Sequence, residues 1–418
     1  MKGKKTMIKI AVMGYGTVGS GVVEVFYKNR ESIQQKAGHE MDIKYILDLR
    51  DFPGDPYEDK MTKNFDDILN DDEVKIVVEV MGGATFAYDY VKKCLLNGKS
   101  VATSNKELVA KKGAELIKIA KDNNVNFLFE ASVGGGIPIL RPITQCLAAN
   151  DITEVYGILN GTTNYILTKM INESVPFEDA LKTAQELGYA ERDPSADVNG
   201  DDACRKICIL SALSFGKHVY PEQVYTEGIT KITLADVEYA ESCGNVIKLI
   251  GKTIHNEKEN KVITTVYPAF VSHKSQIGNV EDVYNAVMVR GDAIGDVVFY
   301  GRGAGKLPTA SAVVADIIDC AKHLATRKLI CWEDGSNDYV IDYKEDRIAM
   351  YVRMNVEDTE QAKAAVSSIF GEVRYLYVPD RPSNELSFIT PVMKERDFDG
   401  KISQVHGDVV SKIRVLDI

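Results

Sequence analysis

The stretch MIKIAVMGYGTVGSGVVEVFYKN runs from an apolar strand over residues 7–13 through Gly14, Gly16 and Gly19 into a helix with apolar residues at helical period. A G-x-G-x-x-G spacing between a strand and a helix leaves few architectures open. The first glycine allows a tight turn, the second lets the main chain approach a pyrophosphate, and the third permits close packing of helix on strand. The helix N-terminus adds amide donors. Thr17 and Val18, between the second and third glycines, belong to the same phosphate-holding loop.

Further apolar runs follow at 43–49, 74–81, 99–105 and 125–133, separated by amphipathic stretches such as AYDYVKKCLLNG and ELVAKKGAELIKIAKDNN. Short apolar strands alternating with amphipathic helices call for a parallel sheet covered on both faces, here an α/β dinucleotide-binding domain of the Rossmann type over residues 1–150. Asp48 and Arg50 follow the second strand and point opposite ways. An acidic residue there accepts from a ribose hydroxyl, as in NAD sites, whereas an arginine faces the 2′-phosphate of NADP. Ser104 and Lys106 close the strand at 99–105, at the carboxyl edge where such sheets bind ligands.

Beyond this domain, EASVGGGIPIL sets three glycines between a strand and a helix that cannot begin before Pro138. Carbonyls in such a bend lack helical partners and either lie in a tight turn or hold a ligand or cation. The segment ELGYAERDPSADVNGDDACRK then gathers Glu191, Arg192, Asp193, Asp197, Asp201 and Asp202 into a loop that ends on a helix over 200–216. At about 100° per residue, Ala203, Ile207, Ile209, Leu210 and Leu213 share one arc of that helix, and Lys206 points between Leu210 and Leu213. Asp202 lies one turn earlier on the same side. Two readings follow: Lys206 reaches the helix edge paired with Asp202, or it is a desolvated lysine that moves a proton beside carboxylates that hold an ammonium.

A net charge of −11 over 418 residues argues against a nucleic-acid partner. The MKGKK start carries no apolar stretch of the kind a secretory signal needs, and no run reaches the roughly 18 to 20 apolar residues of a membrane span. We therefore expect a cytoplasmic protein without a membrane partner. The seven cysteines are scattered and odd in number, which fits reduced thiols. Cys204 and Cys208 share a helix face without a third ligand and read as packing residues.

Six blocks, GYGTVGSG, TSNKELVA, EASVGGGIPIL, GILNGTTNYILT, GYAERDPSADVNGDDACRK and GAGKLPTASAVVADI, resemble in order and spacing the signature blocks of the homoserine dehydrogenase family. The resemblance implies reversible NAD- or NADP-dependent interconversion of L-homoserine and L-aspartate 4-semialdehyde, on the route to threonine, methionine and isoleucine. It implies that Lys206 is the acid/base and that Lys106 lies near the nicotinamide. Glu191 and Asp202 become substrate-binding carboxylates, joined by Asp197 and Thr162. Gly188 and Gly303 lie against the cofactor, while main-chain oxygens at Glu130, Val133, Gly135 and Ile137 hold a monovalent cation, usually sodium. Arg302 and Lys306 depart from the family's pattern by making their loop more basic.

The resemblance also implies that residues 301–330 complete the dinucleotide domain. Residues 151–300 are then an α+β domain for substrate binding and dimerisation, in a homodimer or homotetramer. The chain is too short to include a fused aspartate kinase, so a stand-alone dehydrogenase is expected. Residues 346–418 show a βαββαβ pattern similar to an ACT domain. The loop VEDTEQAKAAV replaces the Arg-Pro-Gly type of turn at which such domains take amino-acid effectors, which leaves effector binding and a structural role both open. The alternative function, a non-enzymatic amino-acid sensor using the C-terminal domain, would have no need of Lys206 or Lys106.

Overall fold

The computed structural model describes residues 7–418; the basic start at residues 1–6 lies outside the described residues. The chain divides into two compact units. The first comprises residues up to Asp151 with Cys208–Pro221 and Gly301–Ser336; the second comprises Ile152–Ile207, Glu222–Tyr300 and Asn337–Ile418.

In the first unit, strands β1 (Ile8–Met13), β2 (Met41–Leu47), β3 (Met61–Thr62), β4 (Val74–Glu79), β5 (Ser100–Thr103) and β6 (Phe127–Leu128) form one sheet in the order β3-β2-β1-β4-β5-β6. Every neighbouring pair is parallel. Residues Ile10 to Met13 are wholly buried, as expected of a central strand covered on both faces. One cover consists of helices Thr17–Lys28 and Lys306–Lys322, whose Val22, Phe26, Val313 and Ile317 share a core with Ile10, Val12 and Ile43. The two helices approach closely at Gly21, where a Cβ would lie 2.9 Å from the Lys306 carbonyl oxygen. Strand order reverses between β1 and β4, so their carboxyl ends form the crevice in which such sheets bind ligands.

The strand expected over 125–133 is shorter, because the chain turns into a single 3-10 turn at Glu130–Ser132. The buried Glu130 carboxylate accepts hydrogen bonds from the amides of Ile139, Leu140 and Arg141 at 2.8, 3.0 and 2.9 Å. It thus caps the helical turn that follows, and Pro142–Cys146 forms a π turn.

The second unit holds β7 (Ile152–Ile158), β8 (Tyr225–Thr226), β9 (Asn245–Asn256), β10 (Lys261–Ser272), β11 (Tyr284–Gly291), β12 (Gly295–Arg302), β13 (Arg347–Asn355), β14 (Arg374–Tyr375), β15 (Glu385–Ile389), β16 (Met393–Lys394) and β17 (Asp408–Leu416). They make an 11-stranded mixed sheet whose main path runs β12-β11-β7-β9-β10-β17-β13-β15-β14. Residues 346–418 show the expected alternation of strands and helices with β16 added. They share the sheet and core of the preceding segment. Strand β17 pairs in parallel with β10 from Ala269↔Arg414 to Val271↔Leu416, and Tyr267 and Ile250 pack in one cluster with Met350, Val352 and Phe388. Buried Arg414 reinforces the join, donating to Glu395 Oε2 at 3.0 Å and to Glu227 Oε2 at 3.0 Å.

Candidate active site

The glycine loop after β1 shows which of its glycines the protein itself requires. Gly14 has φ +98°, and a Cβ there would meet the Val80 carbonyl oxygen at 2.9 Å; a Cβ at Gly19 would sit 1.9 Å from the Gly14 oxygen. Both are fixed by the turn and by helix packing. Gly16 is different: nothing lies within 4 Å of its Cβ position. This space opens on a groove of about 870 Å³ lined by Tyr15, Gly16, Thr17, Ser20, Arg50 and Lys306 among others. Val18 is half-buried at the start of the same helix. The loop and groove therefore fit a dinucleotide, with main-chain donors beside open space at a helix N-terminus.

Asp48 and Arg50, read as alternatives, are partners. Arg50 donates from Nε to Oδ1 at 3.0 Å and from its terminal nitrogen to Oδ2 at 2.9 Å, while the Tyr15 amide donates to Oδ2 at 2.8 Å. Arg50 beside it holds the Asp48 carboxyl well below the usual carboxylate range. The guanidinium lies 5.1 Å from the Phe52 ring centroid with its side chain 62% exposed. Across the groove, Lys306 Nζ donates to Glu24 Oε2 at 2.8 Å.

At the ends of β4 and β5, buried Glu79 accepts from Thr103 Oγ1 at 2.6 Å and from the Met81 amide at 2.9 Å. Burial pushes its carboxyl upward. Asn105 caps the next helix by accepting from the Leu108 amide at 3.0 Å and ties it to the Gly83 carbonyl at 2.6 Å. Ser104 and Lys106 flank this cap, and Lys106 opens the helix Lys106–Asp122. In the glycine bend, Gly303 is buried against Gly135, where a Cβ would lie 2.4 Å from the Gly303 oxygen. Among the described residues, the carbonyls of Val133, Gly135 and Ile137 accept no main-chain hydrogen bond, whereas that of Gly134 accepts from Ile137 at 2.8 Å. These oxygens, with the Glu130 carbonyl, are hard donors of the kind a monovalent cation takes; the Glu130 carboxylate is already committed to the turn.

The second unit gathers three of the residues singled out from sequence. Lys206 is 8% exposed and Asp202 5%, so the lysine does not reach solvent along the helix edge. Lys206 Nζ donates to Asp202 Oδ2 at 2.6 Å and to the Leu159 carbonyl at 2.7 Å. Asn160, which sequence reasoning missed, donates from Nδ2 to Asp197 Oδ1 at 2.6 Å and to the same Asp202 Oδ2 at 2.9 Å. It also caps helix Gly161–Glu173 through the Thr163 amide at 2.8 Å; an Asn before a Gly at a strand-to-helix junction was the available signal. Thr162 Oγ1, in the first turn, donates to the Tyr189 carbonyl at 2.7 Å. Gly188, at φ +74°, ends the preceding helix with open space at its Cβ position. Glu191 is not drawn into the cluster: it is exposed, and its carboxylate has no partner among the described residues.

A doubly wound sheet with a dinucleotide loop, together with a buried lysine paired with a buried carboxylate, defines a nicotinamide-dinucleotide-dependent oxidoreductase. The comparisons sharpen this. The "Homoserine dehydrogenase, NAD binding domain" model matches residues 14–130 and the "Homoserine dehydrogenase" model matches residues 138–318. The homoserine dehydrogenase of Bacillus subtilis (strain 168) is 35% identical, with 97% of each chain covered. A homoserine dehydrogenase structure from Thiobacillus denitrificans superposes with TM-score 0.87 at 36% identity over 98% of each chain. A hyperthermophilic archaeal homoserine dehydrogenase in complex with NADPH gives 0.64 at 28% identity, covering 75% of this chain and 97% of that one. The chain belongs to the homoserine dehydrogenase family, whose members interconvert L-homoserine and L-aspartate 4-semialdehyde.

Proposed function

We propose that Lys206 is the acid/base of this reaction. The observation that carries the reading is its buried amine, held at 2.6 Å by Asp202 and 2.7 Å by the Leu159 carbonyl. Bound NAD(P) supplies the hydride acceptor for oxidation of the alcohol and, when reduced, the donor for the reverse reaction. As a neutral amine Lys206 takes the proton of the substrate hydroxyl; as an ammonium it returns one to the aldehyde oxygen. Glu191, Asp197 and Asp202 supply negative charge for the substrate ammonium, and Thr162 Oγ1 keeps lone pairs for a substrate donor. The loop Gly14, Gly16, Thr17, Val18 and Gly19 would hold the dinucleotide phosphates with its main chain, Gly14 and Gly19 by fixing the turn and Gly16 by leaving room, and Ser104, Lys106, Gly188 and Gly303 are assigned to the cofactor. Lys106, at the start of its helix, would lie towards the nicotinamide end. Incubation with L-homoserine and either dinucleotide should generate reduced nicotinamide absorbance; no reduction with NAD or NADP sinks the assignment.

Arg50 is assigned to the 2′-phosphate of NADP, supported by its exposure and by Lys306 and Lys28 along the same groove. The carbonyls of Glu130, Val133, Gly135 and Ile137 are assigned to a sodium ion, supported by the lack of main-chain partners at Val133, Gly135 and Ile137 among the described residues. Activity should then be several-fold higher in sodium chloride than in choline chloride at equal ionic strength, and sodium should raise the melting temperature where choline does not. Equal behaviour in both salts removes the cation. The active species is assigned as a cytoplasmic homodimer or homotetramer, to be checked by light scattering. No helix among the described residues is long and apolar enough to cross a membrane.

A further inference from the structure

We propose that Asn160 is a positioning residue that tunes the Lys206–Asp202 pair. Its side chain is fixed from both ends. Oδ1 accepts from the Thr163 amide at 2.8 Å and from Thr163 Oγ1 at 3.0 Å, so Nδ2 must face the carboxylates. Both amide hydrogens are then engaged, one on Asp197 Oδ1 at 2.6 Å and one on Asp202 Oδ2 at 2.9 Å. The second matters most, because Asp202 Oδ2 is also the atom that accepts from Lys206. An amide donor on that oxygen draws charge from it and weakens its hold on the ammonium. The same amide keeps Asp197 next to Asp202 without electrostatic repulsion separating them.

Lys206 donates to Asp202 on its own helix and to the Leu159 carbonyl, and Asp197, on the Ser195–Val198 turn, is tied to the same cluster through Asn160. Each favours the ammonium; Asn160 opposes them by sharing their charge. Its effect is therefore to make the neutral amine available at lower pH than the two carboxylates alone would allow. The inference rests on Lys206 as the acid/base.

The experiment is the pH profile of kcat/KM for homoserine oxidation in the wild type, Asn160→Ser and Asn160→Asp, with Lys206→Ala alongside. Asn160→Ser keeps a good helix cap but is too short to reach the carboxylates. Asn160→Asp keeps cap and size and adds a third carboxylate. The rising limb should move to higher pH by about one unit in Asn160→Ser and by about one to three units in Asn160→Asp. Both variants take a donor from buried carboxylates, so the melting temperature should fall in both and most in Asn160→Asp. A limb at the wild-type pH in both variants overturns the proposal, whether or not the rate falls, and leaves Asn160 as a helix cap. If Asn160→Asp fails to fold, Asn160→Ser alone decides. Near-normal turnover in Lys206→Ala would overturn the acid/base assignment itself; an inactive Lys206→Ala with an unmoved limb in the Asn160 variants overturns only the tuning role.

Discussion

Asp48 with Arg50 in the first unit and Asp202 with Lys206 in the second are ion pairs of similar length, 2.9 and 2.6 Å, in opposite surroundings. The Arg50 side chain is 62% exposed and that of Lys206 10%. The Asp48 carboxylate is itself only 11% exposed and keeps the Tyr15 amide. The guanidinium stands in water, where its side of the pair is screened, so a ligand phosphate can share Arg50 with Asp48 at little cost. In the interior, both charges have lost their hydration, and each is held only because the other and its hydrogen-bond partners replace that water. The dinucleotide end thus presents charge and open space, as at Gly16, for something else to complete. The Lys206 end already holds its partners and, in the proposed role, changes state by moving one proton. A contact distance alone would not have separated the two roles; burial does.

The largest effect should come from the buried pair. Lys206→Ala should lower turnover by at least about 10² while the dinucleotide still binds. It also strands Asp202 in the interior, which costs about 3–5 kcal/mol when a buried pair is broken. The double variant Asp202→Asn/Lys206→Ala should recover much of the melting temperature and none of the turnover. Recovery of both would place the chemistry elsewhere, with Lys106 next in line. Loss of stability without loss of rate would return Lys206 to a structural pairing.

A smaller effect is expected at Gly16, where the open space is the feature under test. Gly16→Ala meets no protein atom, and its position as helix cap costs about 1 kcal/mol, a shift of about 2–4 °C in melting temperature. Dinucleotide KM should nonetheless rise about tenfold, equivalent to ~1.4 kcal/mol of binding. Gly19→Ala reverses the pattern: its Cβ lands 1.9 Å from the Gly14 oxygen, so the protein should lose stability before binding can be read, by about 1–3 kcal/mol. If both variants melt alike and bind alike, the distinction between glycines that serve the fold and the one that serves the ligand disappears.

How far these features were legible in the sequence follows from the range of the interactions. The strand, glycine loop and helix were readable because each glycine's constraint is local, and Lys206 stood out because a helix fixes its neighbours by period. Asp48 and Arg50 are two residues apart, yet the pattern offered them as rivals; only the loop conformation shows them joined. Asn160 escaped because its carboxylate partners lie 37 and 42 residues away in sequence. The Glu130 side chain was hidden for the same reason, being engaged by amides 9 to 11 residues on. The segment 346–418 read as an independent domain because its element pattern is self-consistent. Its parallel pairing to β10 and the contact of Arg414 with Glu227 join residues far apart in the chain, and hydrophobic period carries no information about that register.

The smallest effect should be at Arg50, and it tests the exposed half of the comparison. Its guanidinium is bidentate on Asp48 and free on its outer face, so binding a 2′-phosphate exchanges or shares a partner rather than creating charge contact from nothing. The net gain is therefore modest, and salt screens it further. Arg50→Ala should raise KM for NADP about threefold, leave KM for NAD nearly unchanged and leave the melting temperature where it was. The difference between the two dinucleotides should shrink as ionic strength rises, because the contact is exposed. An equal rise in KM for both would mean that Arg50 shapes the groove through Asp48 and Phe52 without reading the phosphate. A large loss of stability would mean that the exposed pair is bound into the fold as tightly as the buried one, and the contrast drawn from burial would fail at its weaker end.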